Sequence, residues 1–294
     1  MKISTEISSS ARVVGEERAV YNIAKAGFDA WDFSMCDMAR INWNTWEVIE
    51  SNHPLRSDDY AKFAKKLRKI GEDNGIVCNQ SHAPFPVAVP GVRSYLKRSI
   101  ECTAIAGGEY CIIHPDNNKS AEENAEMFNE LLPFAKECGV KIATENMWNW
   151  NNEKDEASAA ACSSHEDFVK HIDAVNDPYL VACLDIGHAE MKGLGTSARE
   201  MILALGYKRL KALHIHDNDR WHDSHQLIYT MQIDLDLVAR TLKEIGYDGY
   251  FTLECDNAIK TLGAKNEEEL LAALKKMAEL TRRMAKVYED YKPQ

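Results

Sequence analysis

The sequence predicts a closed (β/α)8 barrel, on three observations. Short β-branched or apolar runs alternate with amphipathic stretches from end to end, the unit repeats eight times, and no linker interrupts it. Eight such units in 294 residues fit one α/β barrel domain over 1–294 better than an open doubly wound sheet, which repeats fewer times.

The first strand candidate, residues 2–8, begins at once after the initial Met; no apolar run of signal-peptide length precedes it, which predicts a cytoplasmic protein. Gly27 closes the helix that follows. Strands at 30–35 and 76–82 bracket a helix whose Tyr60, Phe63, Leu67 and Ile70 recur at helical spacing and which Gly71 is expected to end. Strands at 110–114 and 141–145 flank a helix opened by Ser120 with Glu123, a capping box, and closed by Gly139. The irregular stretch 146–163 reads as an enlarged loop, of the kind that serves active sites in barrels; Ser163 with Glu166 opens the next helix. Strands at 180–185 and 212–216 precede a helix carrying Leu235, Val238, Leu242 and Ile245 on one face and ending at Gly246. The strand at 250–254 and a helix capped by Asn266 with Glu269 complete the count.

Composition narrows the function classes. No stretch approaches the roughly 18 apolar residues of a membrane span. A net charge of −11 opposes attraction to a nucleic-acid backbone, which relies on clustered cations. Eight cysteines without a CxxC pair read as reduced thiols rather than a disulfide framework.

Polar residues of one type close one strand after another, at the end where barrels build their sites. His82, His114, Glu145, Asp185, His216 and Glu254 finish six consecutive strands. Residues two apart share a strand face, so Thr252 and Glu254, His214 and His216, Ala143 and Glu145, and Cys183 and Asp185 point into the barrel. Carboxylates gathered at a closed mouth need a counter-ion, and a divalent cation supplies one. Glu145, Asp185, His216 and Glu254 would offer three oxygens and one nitrogen, a set that does not choose among Mn, Mg, Co and Zn. His188, in DIGH, and Asp217, Asp223 and His225, in HIHDNDRWHDSH, gather close by; polar surface is the plainer reading of that loop. Met147, Trp148, Trp150, Trp43, Trp46 and Trp221 fall in loops that could wall a pocket with aromatic faces, or could serve packing or subunit contacts.

These motifs, HAP (82–84), HP (114–115), TEN (144–146), LDIGH (184–188), HIHD (214–217), DSH (223–225) and LE (253–254), taken in order, resemble the xylose isomerase-like barrel superfamily. That group of sugar phosphate isomerases and epimerases includes ketose 3-epimerases, inosose dehydratase and endonuclease IV. The resemblance implies that Glu145, Asp185, His216 and Glu254 hold one metal, that Glu145 and Glu254 also move protons through a metal-stabilised enediolate, and that His188 contacts a substrate oxygen. It implies a carbohydrate or polyol substrate, walled by His82, His114, Trp148 and Trp221, and it is compatible with a homo-oligomer. Positions matching the extra ligands of the endonuclease IV branch, which holds up to three zinc ions, are His82, His114, His188, Asp223 and His225. A phosphodiesterase and a dehydratase beginning with the same proton abstraction therefore stay open, as does a barrel that binds sugar without turning it over.

Overall fold

The computed structural model describes residues 1–293 and joins eight parallel strands in one sheet. The strands are β1 (Lys2–Glu6), β2 (Ala30–Ser34), β3 (Val77–His82), β4 (Tyr110–Ile112), β5 (Lys141–Glu145), β6 (Leu180–Asp185), β7 (Leu210–His214) and β8 (Tyr250–Leu253). Strands β1 to β7 pair in succession, and β1 pairs with β8 through Ile3 opposite Phe251 and Thr5 opposite Leu253. Between β7 and β8 one bridge, Ile215 with Leu253, closes the barrel. The Ile215 amide donates to the Thr252 carbonyl at 2.9 Å and the Glu254 amide to the Ile215 carbonyl at 3.1 Å.

An outer ring of helices follows the strands: α1 (Glu16–Ala26), α2 (Tyr60–Asp73), α3 (Leu96–Ala106), α4 (Ala121–Cys138), α5 (His165–Val175), α6 (Ala198–Arg209), α7 (Leu235–Glu244) and α8 (Glu267–Asp290). Local chemistry fixes their ends. Ser120 accepts from the Glu123 amide while the Glu123 carboxylate reaches back to the Ser120 amide, and Asn266 caps α8 through the Glu269 amide.

Two expected boundaries move. Helix α5 is capped by Ser164, which accepts from the Asp167 amide; Ser163 instead accepts from the Ala160 amide in the preceding turn. Gly71 lies inside α2, where an added Cβ would stand 2.9 Å from Trp31 Nε1, so it serves close packing; the chain turns at Gly75, φ 80°.

The strands are buried on both faces, as parallel strands under helices are. Ile3, Phe33, Leu67, Ile142, Leu213 and Phe251 belong to the main core between sheet and helices, where burial of each large side chain contributes about 1.5–3 kcal/mol. A separate cluster of Ile112, Ala143, Val181, Cys183 and Ala212 fills the interior, since Ala143 and Cys183 share strand faces with Glu145 and Asp185. Above it lies a buried polar layer: Ser4 donates to Asn79, Asn79 to Thr252, and Gln80 to Asp32. All eight cysteines are free thiols. Among the described residues no helix is long and apolar enough to cross a membrane.

The irregular loop after β5 and the connection after β2 each carry a small antiparallel hairpin. Residues Asn149–Asn151 pair with Glu156–Ser158 after β5, and Ile41–Asn42 with Glu47–Val48 after β2.

Candidate metal centre and substrate cavity

The donors sit at or just past the strand ends, because each strand stops where its inward face reaches the mouth. Glu145 and Asp185 are the last residues of β5 and β6; His114, His216 and Glu254 lie one or two residues beyond β4, β7 and β8. The side chains form two touching groups. Glu145, Asp185, His214 and Glu254 offer ligand atoms within 4.8 Å of one another, and so do His188, His216, Asp223 and His225. Of the expected quartet, Glu145, Asp185 and Glu254 therefore stand together, while His216 falls in the second group and meets the first through Asp185, Nε2 to Oδ1 at 3.1 Å.

Four histidines share one arrangement. His82 donates from Nδ1 to the Ala83 carbonyl (2.8 Å), His188 to that of Asn146 (2.9 Å), His216 to that of Asp217 (3.4 Å) and His225 to that of Glu254 (2.7 Å). A ring pinned through Nδ1–H turns Nε2 to the centre and fixes the tautomer, as metal-ligating histidines are held. The Nε2 atoms indeed face carboxylates: His188 to Asp223 Oδ2 at 3.2 Å and His225 to Asp223 Oδ1 at 3.1 Å.

Three buried atoms here, Asp185 Oδ2, His216 Nε2 and Asp223 Oδ1, make no hydrogen bond: with the ring protons on Nδ1, the Nε2 atoms of His216 and His225 meet the carboxylates of Asp185 and Asp223 lone pair to lone pair. Unmet polar atoms in a water-excluded place are costly, and these are all lone-pair donors. Gly187 makes the cradle, since a Cβ there would lie 1.9 Å from His216 Cε1. The residues thus fit a divalent cation by donor type and by unmet valence.

His214, inward-facing but given no role from sequence, has both nitrogens committed. Nδ1 lies 3.1 Å from Glu145 Oε2 and 3.5 Å from Glu254 Oε2, and Nε2 lies 3.3 Å from Asp32 Oδ2. Burial disfavours a charged ring, yet these carboxylates push His214 well above the usual histidine range. Burial likewise pushes Glu145 up, but the His214 charge and hydrogen bond, with His114 and His82 close by, outweigh it and hold Glu145 well below the carboxylate range. Glu254 goes the other way: burial pushes it up to about 8, with the Glu145 charge adding against the pull of His214 and His225. Two glutamates facing one space are thereby driven apart in acidity. For His188, burial lowers and the charges of Asp185 and Asp223 raise, to about 10. His114 Nε2 stands 3.0 Å from His82 Nε2, and burial pulls His114 down to about 4.

A cavity of about 950 Å3 opens over these groups, lined by His82, His114, Glu145, Trp148, His188, Asp223, His225 and Glu254. Asp185 and His216, both fully buried, are not among the lining residues; they meet the cavity-lining His188 and Asp223 from behind. Trp221, expected at the substrate, is not among the lining residues: its indole donates to the Asp155 carbonyl at 2.7 Å and Lys192 Nζ covers its ring at 3.9 Å, so it braces the hairpin after β5. Asp217 is also spent structurally, accepting from the amides of Asn218, Thr230, Met231 and Ile233 to shape its loop. Two contributors carried no sequence signal of their role. Asn146 locks β5 to β6, donating to the Asp185 carbonyl at 2.9 Å and accepting from the Asp185 amide at 2.8 Å, and Phe85 stacks on His114.

Comparison with known proteins agrees with this architecture. Residues 20–280 match the family described as Xylose isomerase-like TIM barrel. An uncharacterized protein of Methanocaldococcus jannaschii, MJ1311, is 30% identical over 84% of this chain and 87% of its own length. A probable endonuclease 4 of Mycoplasmopsis pulmonis is 26% identical over 65% of this chain and 72% of its own length. Among solved structures, a D-tagatose 3-epimerase-like protein superposes with TM-score 0.71 at 22% identity over 99% of both chains. IolI with a bound zinc atom superposes with TM-score 0.67 at 17% identity over all of both chains.

Proposed function

The chain belongs to the xylose isomerase-like TIM barrel family, and from that premise we propose that it is a divalent-metal-dependent sugar isomerase or epimerase. The observation that carries the reading is the set of histidines pinned through Nδ1 around the carboxylates of Asp185 and Asp223, each of which keeps one buried oxygen without a hydrogen bond. Glu145, Asp185, His216 and Glu254 would hold the ion. His216 is preferred over His214 because its Nε2 approaches Asp185 and Asp223 without a hydrogen bond, whereas both nitrogens of His214 are hydrogen-bonded to carboxylates. When bound, the cation supplies Lewis acidity toward neighbouring oxygens of the substrate.

Glu145 and Glu254 carry the proton in this reading. Glu145 removes it from the carbon beside a carbonyl, leaving a planar enediolate, and Glu254, the other glutamate lining the cavity, delivers the proton that returns. His188, on the cavity wall, donates to a substrate oxygen, and His82, His114 and Trp148 confine the ring. The similarities to a D-tagatose 3-epimerase-like protein and to zinc-bound IolI support sugar chemistry at a metal.

Turnover of metal-loaded protein with a panel of ketoses and inososes in deuterated water tests it. Deuterium entering beside the carbonyl with all hydroxyls kept is the expected result; loss of water would assign a dehydratase, and no exchange across the panel would sink the enediolate reading. One observation favours a second reading, a multi-metal phosphodiesterase: His188, His216, Asp223 and His225 form a further donor group, and a probable endonuclease 4 is among the relatives. The net charge of −11 weighs against a DNA substrate. Cleavage of abasic DNA by zinc-loaded protein would decide for it.

A further inference from the structure

The cavity is larger than one sugar ring requires. At about 950 Å3 it stands at the top of the ~300–1,000 Å3 that encloses drug-sized ligands, which a monosaccharide does not approach in size. Its two ends differ in chemistry. The inner end is the buried donor set; the outer end is walled by Trp43, Trp46 and Ile49, exposed by 58%, 55% and 46%.

That outer wall is built to hold its shape. Trp43 and Trp46 stand edge to face, centroids 6.0 Å apart, on the hairpin after β2. Beneath the hairpin lies a small core of its own, Ala39, Ile41, Val89 and Val92 with Val48 packed against it, separate from the main one. Trp46 takes φ 57°, a left-handed conformation that costs a bulky residue free energy and suits Gly or Asn better. Its indole therefore occupies the turn against backbone preference, and no buried packing accounts for it.

The charges nearby choose the occupant. Arg12 and Arg40 also line the cavity, but Arg12 pairs with Asp256 and Arg40 with Asp37. With the partner carboxylates Asp37 and Asp256 in the lining too, the two guanidiniums are neutralised and an anionic occupant is disfavoured; they leave N–H groups for neutral hydroxyls, beside two indole faces that suit the apolar face of a ring.

We infer that Trp43 and Trp46 form an outer subsite for a second, uncharged ring, so that the substrate is a glycosylated ketose or a keto-sugar glycoside rather than a free monosaccharide. The inference rests on the isomerase or epimerase reading of the inner end.

Calorimetric titration of manganese-loaded protein separates the two. The probes are D-fructose against palatinose, whose added ring is a sugar, and the methyl against the phenyl glycoside of one keto sugar, whose added ring is aromatic. At least one two-ring probe is expected to bind about tenfold tighter than its one-ring partner, from two aromatic stacking contacts. The W43A/W46A double variant loses that advantage and keeps D-fructose affinity within about twofold; W43F/W46F, which retains aromatic faces, recovers part of it. Equal affinities within each pair, or an advantage that survives the double alanine variant, overturn the subsite. Deuterium exchange is read on the same samples. Preference without exchange sinks the isomerase reading and leaves the subsite standing, and exchange without preference does the reverse.

Discussion

Two histidines two residues apart on the same inward face behave in opposite ways. His214 is clamped between Asp32 and Glu145 with both nitrogens hydrogen-bonded to carboxylates, whereas His216 rests one nitrogen on a backbone carbonyl and turns the other, without a hydrogen bond, toward the carboxylates of Asp185 and Asp223. Depth makes the difference: His214 stands level with the polar layer of β2 and β3, while His216 clears it. Side-chain type therefore says less about a ligand than the engagement of its second nitrogen.

The largest test of this contrast is at the carboxylate His214 supports. E145Q is expected to lower deuterium exchange roughly a hundred- to ten-thousandfold at saturating metal, and E254Q similarly; full activity in both would break the proton-transfer assignment. Next, H214Q and H216Q should separate. H214Q leaves Asp32 and Glu145 facing each other without a cation, and should cost about 3–5 kcal/mol in chemical denaturation while metal stoichiometry survives. H216Q should weaken metal affinity by more than about tenfold with little loss of stability, since it removes a donor rather than a buried counter-charge. Equal behaviour of the two variants would erase the distinction.

A buried carboxylate outside the histidine groups sharpens the point by contrast. Burial pushes Glu6 up to about 7 and the Asp256 charge adds to it, while hydrogen bonds from Ser9 only partly compensate. A carboxyl raised on folding makes the folded state bind the extra proton, so stability is greatest below its unfolded value of 4.5 and falls as pH rises through about 7. E6Q should remove up to about 3 kcal/mol of that fall between pH 5 and pH 8, read from denaturation midpoints. The smallest effect is expected at W221A. Lying outside the cavity, it should change turnover by less than about twofold, against a clear loss for W148A.

Strand number, parallel order and inward alternation were legible because each depends on local period: the Thr252 and Glu254 pattern alone fixes which face of β8 looks inward. The ends of β4 and β7 were not, since pairing partners decide where a ladder stops. Asp32 gave no signal because its role exists only through His214, across the barrel. Trp221 misled for a related reason. Loop tryptophans that line a cavity and those that brace a hairpin have identical local sequence properties, and only the Asp155 carbonyl and Lys192 tell them apart.

The narrow seam between β7 and β8 bears on all of this. Seven joints of the barrel are full ladders, but the eighth hangs on the amides of Ile215 and Glu254, flanked by His216 on one side and Glu254 on the other. An ion shared across that joint would act as its rivet, so chelation should first loosen hydrogen exchange at those two amides and leave the rest of the wall untouched.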